Sequence, residues 1–376
     1  MEVLRPCAVI SDHHHVANHL IPGRPNRESI QAAQTAAQAV ELAASASMDT
    51  SRKILDIILQ YSLNKLAADA ATDRRDLGTP LFLSVINRFV VAQKPLRMAL
   101  PAFPFKSANR VYKVLGYLPD KAEELALERL NTICKRIAEI YAPGATLTIV
   151  SDGLVYNDLL TIPDKDVWAY GQAIRAMAVE KGFTHLEFSR IRDLVSFPLP
   201  QQLEEITYVA NATNFRCHML NKHGDPDLDI DAEIANNADT RMTYSGYSRF
   251  LQSDLQHVFR SKKSLGSNQY KRNVKFLAKE MLRRGYAFAG AVREAYSDHL
   301  RLSIHESTGA NKVSISLLDT RSGYTTPWHC AVALLDNGEW LSAPMGDFLA
   351  DETLEVVEED GRPSHFRSKL LRPTTE

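Results

Sequence analysis

Hydrophobic positions along the chain follow two alternating patterns, one typical of helices and one typical of buried strands. Residues 27–48 are rich in Ala and Gln and lead into an amphipathic stretch that ends near Leu63, which predicts two helices in an N-terminal arm. Leucines and isoleucines three and four positions apart predict a helix over residues 124–141. The β-branched run at residues 146–150 then predicts a buried strand.

The same alternation continues toward the C-terminus. Amphipathic segments predict helices over residues 163–182 and 267–284, and apolar runs predict strands over residues 88–100, 183–188, 300–305, 312–318 and 330–335. Strands that alternate with helices of these lengths predict an α/β fold in which crossover helices flank one sheet, with the polar residues 198–245 as a helical insertion. The expected divisions are an arm at residues 1–60, a main domain at 61–350 and a charged tail at 351–376.

Composition and charge exclude several classes of protein. The 376 residues are 45% hydrophobic, which is enough for a substantial core. Lys and Arg number 44 against 45 for Asp and Glu, so a net charge of -1 provides no field for nonspecific nucleic-acid binding. No apolar stretch is long enough to span a bilayer and the first residues do not resemble a signal peptide, so we expect a cytoplasmic protein without membrane partners.

The first candidate site follows the strand at residues 146–150. Gly153 permits a sharp turn, so Asp152 is expected just past the carboxyl end of the strand, where open α/β sheets bind ligands. Asp158 follows closely, with Tyr156 between, and paired carboxylates can hold an ammonium group or share acid and base work. Alternatively, Asp158 caps a turn and Asp152 accepts hydrogen bonds from loop amides.

A rigid loop carries the second candidate site. Pro101 and Pro104 forbid regular structure there, and Lys106, Ser107 and Asn109 follow at once. An ammonium, a hydroxyl and an amide on such a loop could grip a phosphate or activate a carbonyl. A surface lysine after a turn is the alternative.

Two histidines complete the candidate set. Arg301 and His305 flank a short strand four residues apart, so their side chains are expected on one face, where an anionic ligand or a buried acid could pair with the arginine. His329 follows Trp328 where a loop enters the strand at residues 330–335, and it could transfer protons near neutral pH. A histidine with a purely structural role is the alternative.

One further motif suggests a metal. His223-Gly224-Asp225 matches half of an iron-binding facial triad, with His257, His305 or His329 as the third ligand. Three residues with one wildcard arise often by chance, so we interpret the match as coincidence and expect no metal site.

Four separated motifs together resemble the pyoverdine/dityrosine biosynthesis family, whose members include the isocyanide synthases. The motifs are Phe103–Ser107, Ser151–Gly153 with Asp158, Arg301–His305 and Thr326–His329, within a likeness that extends from about Tyr61 to Phe348. The resemblance implies a Rossmann-like α/β core and no metal or redox cofactor. It also implies that the amine of an L-amino acid condenses with the C2 ketone of ribulose 5-phosphate, and that C2 becomes the isocyanide carbon.

In that chemistry cations hold the sugar phosphate, carboxylates hold and deprotonate the ammonium group, and a histidine cycles protons. The catalytic candidates are Lys106, Asp152, His305 and His329. The substrate-binding candidates are Ser107, Asn109, Tyr156, Asp158, Arg301 and Trp328.

Three other functions stay open at this point. A sister branch of the family modifies tyrosine toward dityrosine precursors, a noncatalytic protein could bind a phosphorylated metabolite, and His223 with Asp225 could serve an iron-dependent oxygenase. Some family members carry a fused dioxygenase, and here we expect any such tailoring to need a separate oxygenase. Tyrosine, tryptophan, valine and leucine are all possible substrates, because selectivity depends on pocket volume.

Overall fold

A computed structural model describes residues 27–63, 77–151, 153–195, 203–256, 258, 266–320 and 322–371. The chain divides into two compact units, Met1–Ala46 and Ser47–Glu376. One continuous helix, α1 (Arg27–Leu59), takes the place of the two predicted helices, because neither proline nor glycine interrupts it. Ile54 and Ile58 in its last turns are fully buried in the core of the second unit. The predicted arm therefore ends earlier than residue 60.

A parallel sheet of five strands forms the centre of the second unit and confirms the predicted α/β class, with five of the six predicted strands. Its strands are β1 (Leu96–Pro101), β2 (Ala145–Val150), β3 (Leu186–Ser189), β4 (Leu300–Ser303) and β5 (Val313–Ser314). Their spatial order is β3-β2-β1-β4-β5, with every neighbouring pair parallel. The order reverses between β1 and β4. Doubly wound sheets bind ligands outside the carboxyl ends of the strands at such a reversal.

Helices cover both faces of this sheet or pack on the helices that do. They are α2 (Thr79–Val91), α3 (Lys121–Ile140), α4 (Gly153–Tyr156), α5 (Asp164–Glu180), α6 (Ile191–Leu194), α7 (Glu205–His223), α8 (Ile230–Asn236), α9 (Ala238–Asp254) and α10 (Ser267–Ala295). Leu147 and Ile149 belong to one apolar cluster, with α2 and α3, whereas Val150 belongs to a second, with α7, α9 and α10. This division follows from the alternation of side chains along a strand. Across the described ranges, no helix has the length and hydropathy needed to cross a membrane.

The strand predicted at residues 88–100 is wrong in its first half. Residues up to Val91 continue helix α2, and only Leu96–Pro101 is extended. The buried side chains of α2 are Phe82, Ile86, Phe89 and Val90. The intervals between them, four, three and one residues, place them on one side of a helix. This helical spacing determines the structure despite the β-branched residues in the segment.

A second, smaller sheet corrects two predictions about the end of the chain. Its strands are β6 (Ala331–Leu334), β7 (Trp340–Ala343), β8 (Leu354–Glu359) and β9 (Arg362–Ser368), in the order β7-β6-β9-β8, with α11 (Met345–Leu349) between β7 and β8. The run at 330–335 therefore joins this sheet instead of the large one. Residues 354–368 form a hairpin whose Phe366 packs on Phe348, with 5.1 Å between ring centroids, so they are not a tail.

A buried ion pair joins the loop after β1 to the start of α3. Asp120 caps α3, and Glu123 completes a capping box by accepting from the Asp120 backbone N–H. The Lys106 ammonium lies 2.8 Å from Asp120 Oδ2 and 2.7 Å from Glu123 Oε2, and it donates to the Pro327 carbonyl at 3.2 Å. Burial alone would lower the pKa of Lys106, but the two carboxylates outweigh it and raise that pKa above its ordinary value.

These contacts correct the role predicted for Lys106. Its side chain is completely buried, with two carboxylate oxygens at ion-pair distance and one carbonyl as hydrogen-bond acceptor. Lys106 is therefore a structural cation and is not free to grip a phosphate.

Replacing Lys106 with methionine is expected to destabilise the protein by about 3–5 kcal/mol, because two carboxylates stay buried without their cation. Urea unfolding measures this change. The control is Lys53→Met, which breaks an exposed i,i+4 pair with Asp49 and should cost less than about 1 kcal/mol. Equal stability of the two variants would contradict a structural role for the buried pair.

Candidate active site

A cavity of about 690 Å³ lies at the reversal of strand order. The loop after β1 contributes Phe105 to its wall, and the segment directly after β4 contributes Ile304–Glu306. Helices α9 and α10 and residues 322–329 supply much of the remainder. The site that the topology predicts is thus a real concavity, large enough for two small molecules.

Two backbone features shape the loop after β1. Phe103 adopts a φ of 55°, in the left-handed region that is strained for residues other than glycine, and it is held there by burial and by edge-on packing against Trp328. Gly153 of α4 approaches so closely that an added Cβ would lie 2.5 Å from the Pro104 carbonyl oxygen. Gly153, noted in the sequence, therefore allows the backbone that follows β2 to pack closely against the backbone that follows β1.

Aromatic rings form much of the cavity wall. The lining rings are Phe105, Tyr156, Tyr247, Phe250, Tyr324 and Trp328. Tyr247 meets the His305 ring edge-on with centroids 5.4 Å apart, and Phe250 lies 4.6 Å from the His329 ring at an angle of 32°. Each histidine is thus held against an aromatic ring. A mostly apolar wall with a few fixed polar groups is typical of small-molecule sites.

His329 is coupled to a buried acid that the sequence did not reveal. Its Nδ1 lies 3.0 Å from Oδ2 of Asp254, the last residue of α9, in a contact with the length of an ion pair but without hydrogen-bond alignment. Oδ1 of the same carboxylate accepts from the Lys113 ammonium, which also donates to Ser253 Oγ at 3.1 Å. Asp254 therefore lies between a lysine and a histidine that both line the cavity.

The charges of this group follow from burial and contact. Burial alone would raise the pKa of Asp254, but His329 and Lys113 outweigh it and lower that pKa to about 2. Burial lowers the pKa of His329, and Asp254 offsets only part of this effect. Asp254 is therefore ionised at neutral pH beside a neutral imidazole. A neutral imidazole held next to a carboxylate is suited to accepting a proton.

His305 provides a second neutral imidazole. Burial, followed by the charges of Lys312 and His329, lowers the pKa of His305 to about 3. Its backbone is fixed at both ends, because its N–H donates to Ser303 Oγ at 3.1 Å and its carbonyl accepts from Ser314 Oγ at 2.7 Å. The cavity thus presents two uncharged histidines.

The structure brings together four of the predicted residues, which line the cavity: Tyr156, His305, Trp328 and His329. Asp152 and His257 lie outside the described residues.

Ser107 and Asn109 are correctly placed in the loop but are buried behind the wall. Ser107 Oγ accepts from the Asn109 backbone N–H at 3.1 Å, and the Ser107 N–H donates to the Trp328 carbonyl at 2.9 Å. The Asn109 side chain donates to the Ser253 carbonyl at 2.8 Å. They fix the loop against the segments that carry Trp328 and Asp254, in place of the substrate contact predicted for them.

Asp158 and Arg301 also lie outside the cavity lining. Asp158 Oδ1 is 2.6 Å from Arg284 Nη1 and 3.3 Å from Arg216 Nε, so arginines already neutralise it. Arg301 lies within β4, whereas His305 follows the end of that strand, so the strand spacing behind the predicted shared face does not extend to His305. Burial lowers the pKa of Arg301 to about 10.

The facial-triad motif does not reach the cavity. His223 is the last residue of α7. Its Nδ1 lies 3.9 Å from Oε2 of Glu294, which is close to the C-terminal end of α10. Within the described ranges, His, Cys, Asp and Glu form no group of three that could hold a metal ion. The described residues therefore do not assemble the iron site considered in the sequence.

Comparison with known proteins supports the resemblance found in the sequence. Residues 86–357 match the family described as pyoverdine/dityrosine biosynthesis protein. The isocyanide synthase-NRPS hybrid crmA of Aspergillus fumigatus is 57% identical over 319 residues, which are 85% of this chain and 20% of that protein. The L-tyrosine isonitrile synthase of Pseudomonas aeruginosa is 32% identical over 310 residues, which are 82% of this chain and 90% of that protein.

A solved structure confirms the α/β fold. The crystal structure of PvcA from Pseudomonas aeruginosa matches with a TM-score of 0.74 and 28% identity, over 85% of this chain and 99% of that one. The chain spans between 20% and 50% of the length of three Aspergillus fumigatus relatives that it matches.

The depressed pKa of His305 predicts a loss of stability in acid. His305 is neutral in the folded protein down to about pH 3 but takes up a proton near pH 6.5 when unfolded, so stability falls as the pH drops through this window. Replacing His305 with glutamine should therefore reduce the loss of unfolding free energy between about pH 7 and pH 4.5 by up to about 2 kcal/mol. Urea unfolding at both pH values measures it, with each variant at about pH 7 as its own reference. Identical losses in wild type and variant would contradict the assignment.

Asp254→Asn is expected to lower the pKa of His329 further, because it removes the carboxylate that raises it. Titration of the histidine ring signals by NMR measures the midpoint. Asp231→Asn is the control, since Asp231 is exposed and pairs with Lys279 away from the cavity lining. A His329 midpoint that is the same in both variants would show that Asp254 does not act on this ring.

Proposed function

We propose that this chain, which belongs to the pyoverdine/dityrosine biosynthesis family, is an isocyanide synthase. In this proposal it converts an L-amino acid and ribulose 5-phosphate to an α-isocyano acid. The observation that carries it is the neutral imidazole of His329, backed by Asp254, in a cavity at the reversal of strand order. The names of the similar proteins support the isocyanide product and the amino-acid substrate.

The chemistry makes clear what the cavity has to supply. The substrate ammonium must lose a proton before its nitrogen can attack the C2 ketone, and the resulting carbinolamine must lose water to form an imine. C2 of the sugar and the isocyanide carbon have the same formal oxidation level. One carbon neighbour leaves with the electrons of its bond to C2 and takes up a proton. The other leaves as an aldehyde while its bonding electrons stay on C2 as the isocyanide lone pair, so the sequence is redox-neutral. The catalytic groups that the protein must provide are therefore mainly groups that accept and donate protons.

His329 is our candidate for the group that accepts these protons. Asp254 stabilises the imidazolium that forms, and the Lys113 ammonium holds Asp254 in place. His305 lines the same cavity as His329, but no described carboxylate lies at ion-pair distance from it. Its imidazole is therefore suited to staying neutral and to donating or accepting a hydrogen bond. The two histidines thus have different environments, which is how one site separates acid and base roles.

The aromatic wall is our candidate for the region that receives the amino-acid side chain. Phe105, Tyr156 and Tyr247 belong to one apolar cluster, together with Leu160 and Met281 of the lining. Glu306, the one carboxylate among the described lining residues, is suited to pairing with the substrate ammonium before deprotonation.

The direct test incubates purified protein with ribulose 5-phosphate and each of tyrosine, tryptophan, valine and leucine. The expected product shows the isocyanide stretch in the infrared and carries ¹³C when the sugar is labelled at C2. A modified tyrosine without that stretch would favour a dityrosine-precursor enzyme. Binding of the sugar phosphate without consumption would favour a noncatalytic protein.

His329→Ala is expected to lower kcat/KM for isocyanide formation by about 10²–10⁴-fold, as is typical for loss of a general base. Asp254→Asn should lower it less, because the imidazole itself stays. His185→Ala, at a histidine outside the cavity lining, is the control and should retain wild-type activity. If His329→Ala were folded and fully active, His329 would not be the base.

A further inference from the structure

The cavity has a charged group at its mouth that the mechanism above does not use. Arg249 of α9 lines the cavity and is also exposed to solvent, so this residue lies where the cavity meets solvent. Among the described residues, Arg249 has no ion-pair partner. An unpaired arginine at the opening of a site is available to an anion.

Hydroxyl groups of a second segment line the same cavity. Residues 322–326 all contribute to the wall. Ser342 of β7 anchors this segment, because its Oγ lies 2.6 Å from Ser322 Oγ and donates to the Tyr324 carbonyl at 2.7 Å. The hydroxyls of Thr325 and Thr326 make no hydrogen bond to any other described residue. An added Cβ at Gly323 would meet nothing within 4 Å, so a ligand can approach the backbone there.

The other cations near the cavity are less suited to an anionic ligand. Lys113 lines the wall, but its ammonium contacts the Asp254 carboxylate and Ser253 Oγ. His305 and His329 are neutral at neutral pH, since burial lowers both pKa values. Arg301 lies outside the lining. Among the described lining residues, Arg249 is thus the cation without a carboxylate at ion-pair distance.

We propose that Arg249 and the segment Ser322–Thr326 form the subsite for the phosphate group of the co-substrate. The guanidinium fork matches two phosphate oxygens, and threonine hydroxyls and backbone N–H groups donate to the third. The identification of this phosphate as that of ribulose 5-phosphate rests on the proposed function. The anion site itself does not depend on that function. With the phosphate at the mouth, the ketone end of the sugar points inward, toward the two histidines.

The test compares Arg249→Gln with Arg241→Gln, an exposed arginine of the same helix that donates to backbone carbonyls of α8 and lies outside the cavity lining. Steady-state kinetics vary ribulose 5-phosphate and the amino acid separately. We expect Arg249→Gln to raise KM for ribulose 5-phosphate by about ten- to hundred-fold, the usual loss for one charged hydrogen-bonding group. KM for the amino acid should change less than about twofold, Arg249→Lys should recover part of the loss, and Arg241→Gln should match wild type.

Two kinetic outcomes would overturn the proposal. A rise in KM for the amino acid alone would mean that Arg249 holds the substrate carboxylate. An unchanged KM for both substrates would mean that Arg249 contacts neither.

A binding experiment separates this proposal from the proposed function. Inorganic phosphate is titrated calorimetrically into wild type and into each variant at constant ionic strength. If wild type makes no isocyanide but binds phosphate, and Arg249→Gln does not, then the anion site is correct and the assigned reaction is wrong. Equal phosphate binding by wild type and Arg249→Gln would overturn the subsite whatever the reaction.

Discussion

The buried contact of Lys106 with Asp120 and Glu123 is the constraint on which the site depends. Both carboxylates belong to the capping box of α3, and the same ammonium donates to the carbonyl of Pro327, two residues before His329. One charge thus ties together the end of β1, the start of α3 and the turn that carries the imidazole. Since the side chains of Lys106 and Glu123 are fully buried and that of Asp120 nearly so, separating these segments would leave a buried charge without its partner.

How well the site could be predicted depended on whether each residue had a local signal. His305 and His329 stand at the borders of short apolar strands, where a polar side chain is conspicuous, and both line the cavity. Asp254 and Arg249 lie on a polar helix among many similar residues, so nothing local distinguished them. The rigid proline loop predicts a ligand-binding role for Lys106, but its carboxylate partners come from the next helix. A capping box indicates where a helix starts and does not indicate which cation neutralises it.

The fold shows the same limit. The parallel sheet followed from β-branched runs alternating with helices, because βαβ connections strongly restrict topology. The run at residues 330–335 gave no indication of which sheet it would join, since a short apolar strand has the same composition in either. Residues 354–368 are mostly polar because their hairpin has only one covered face. The many charged residues in this segment are the reason why its sequence predicts a charged tail and not a hairpin.

The terminal hairpin has a consequence for joining this unit to other domains. Strand β6 begins two residues after His329 and is hydrogen-bonded between β7 and β9. A junction placed at residue 350 would remove β9, leave one edge of β6 with unsatisfied backbone groups, and uncover the ring of Phe348. A fusion that preserves the turn bearing the imidazole must therefore be made after Ser368.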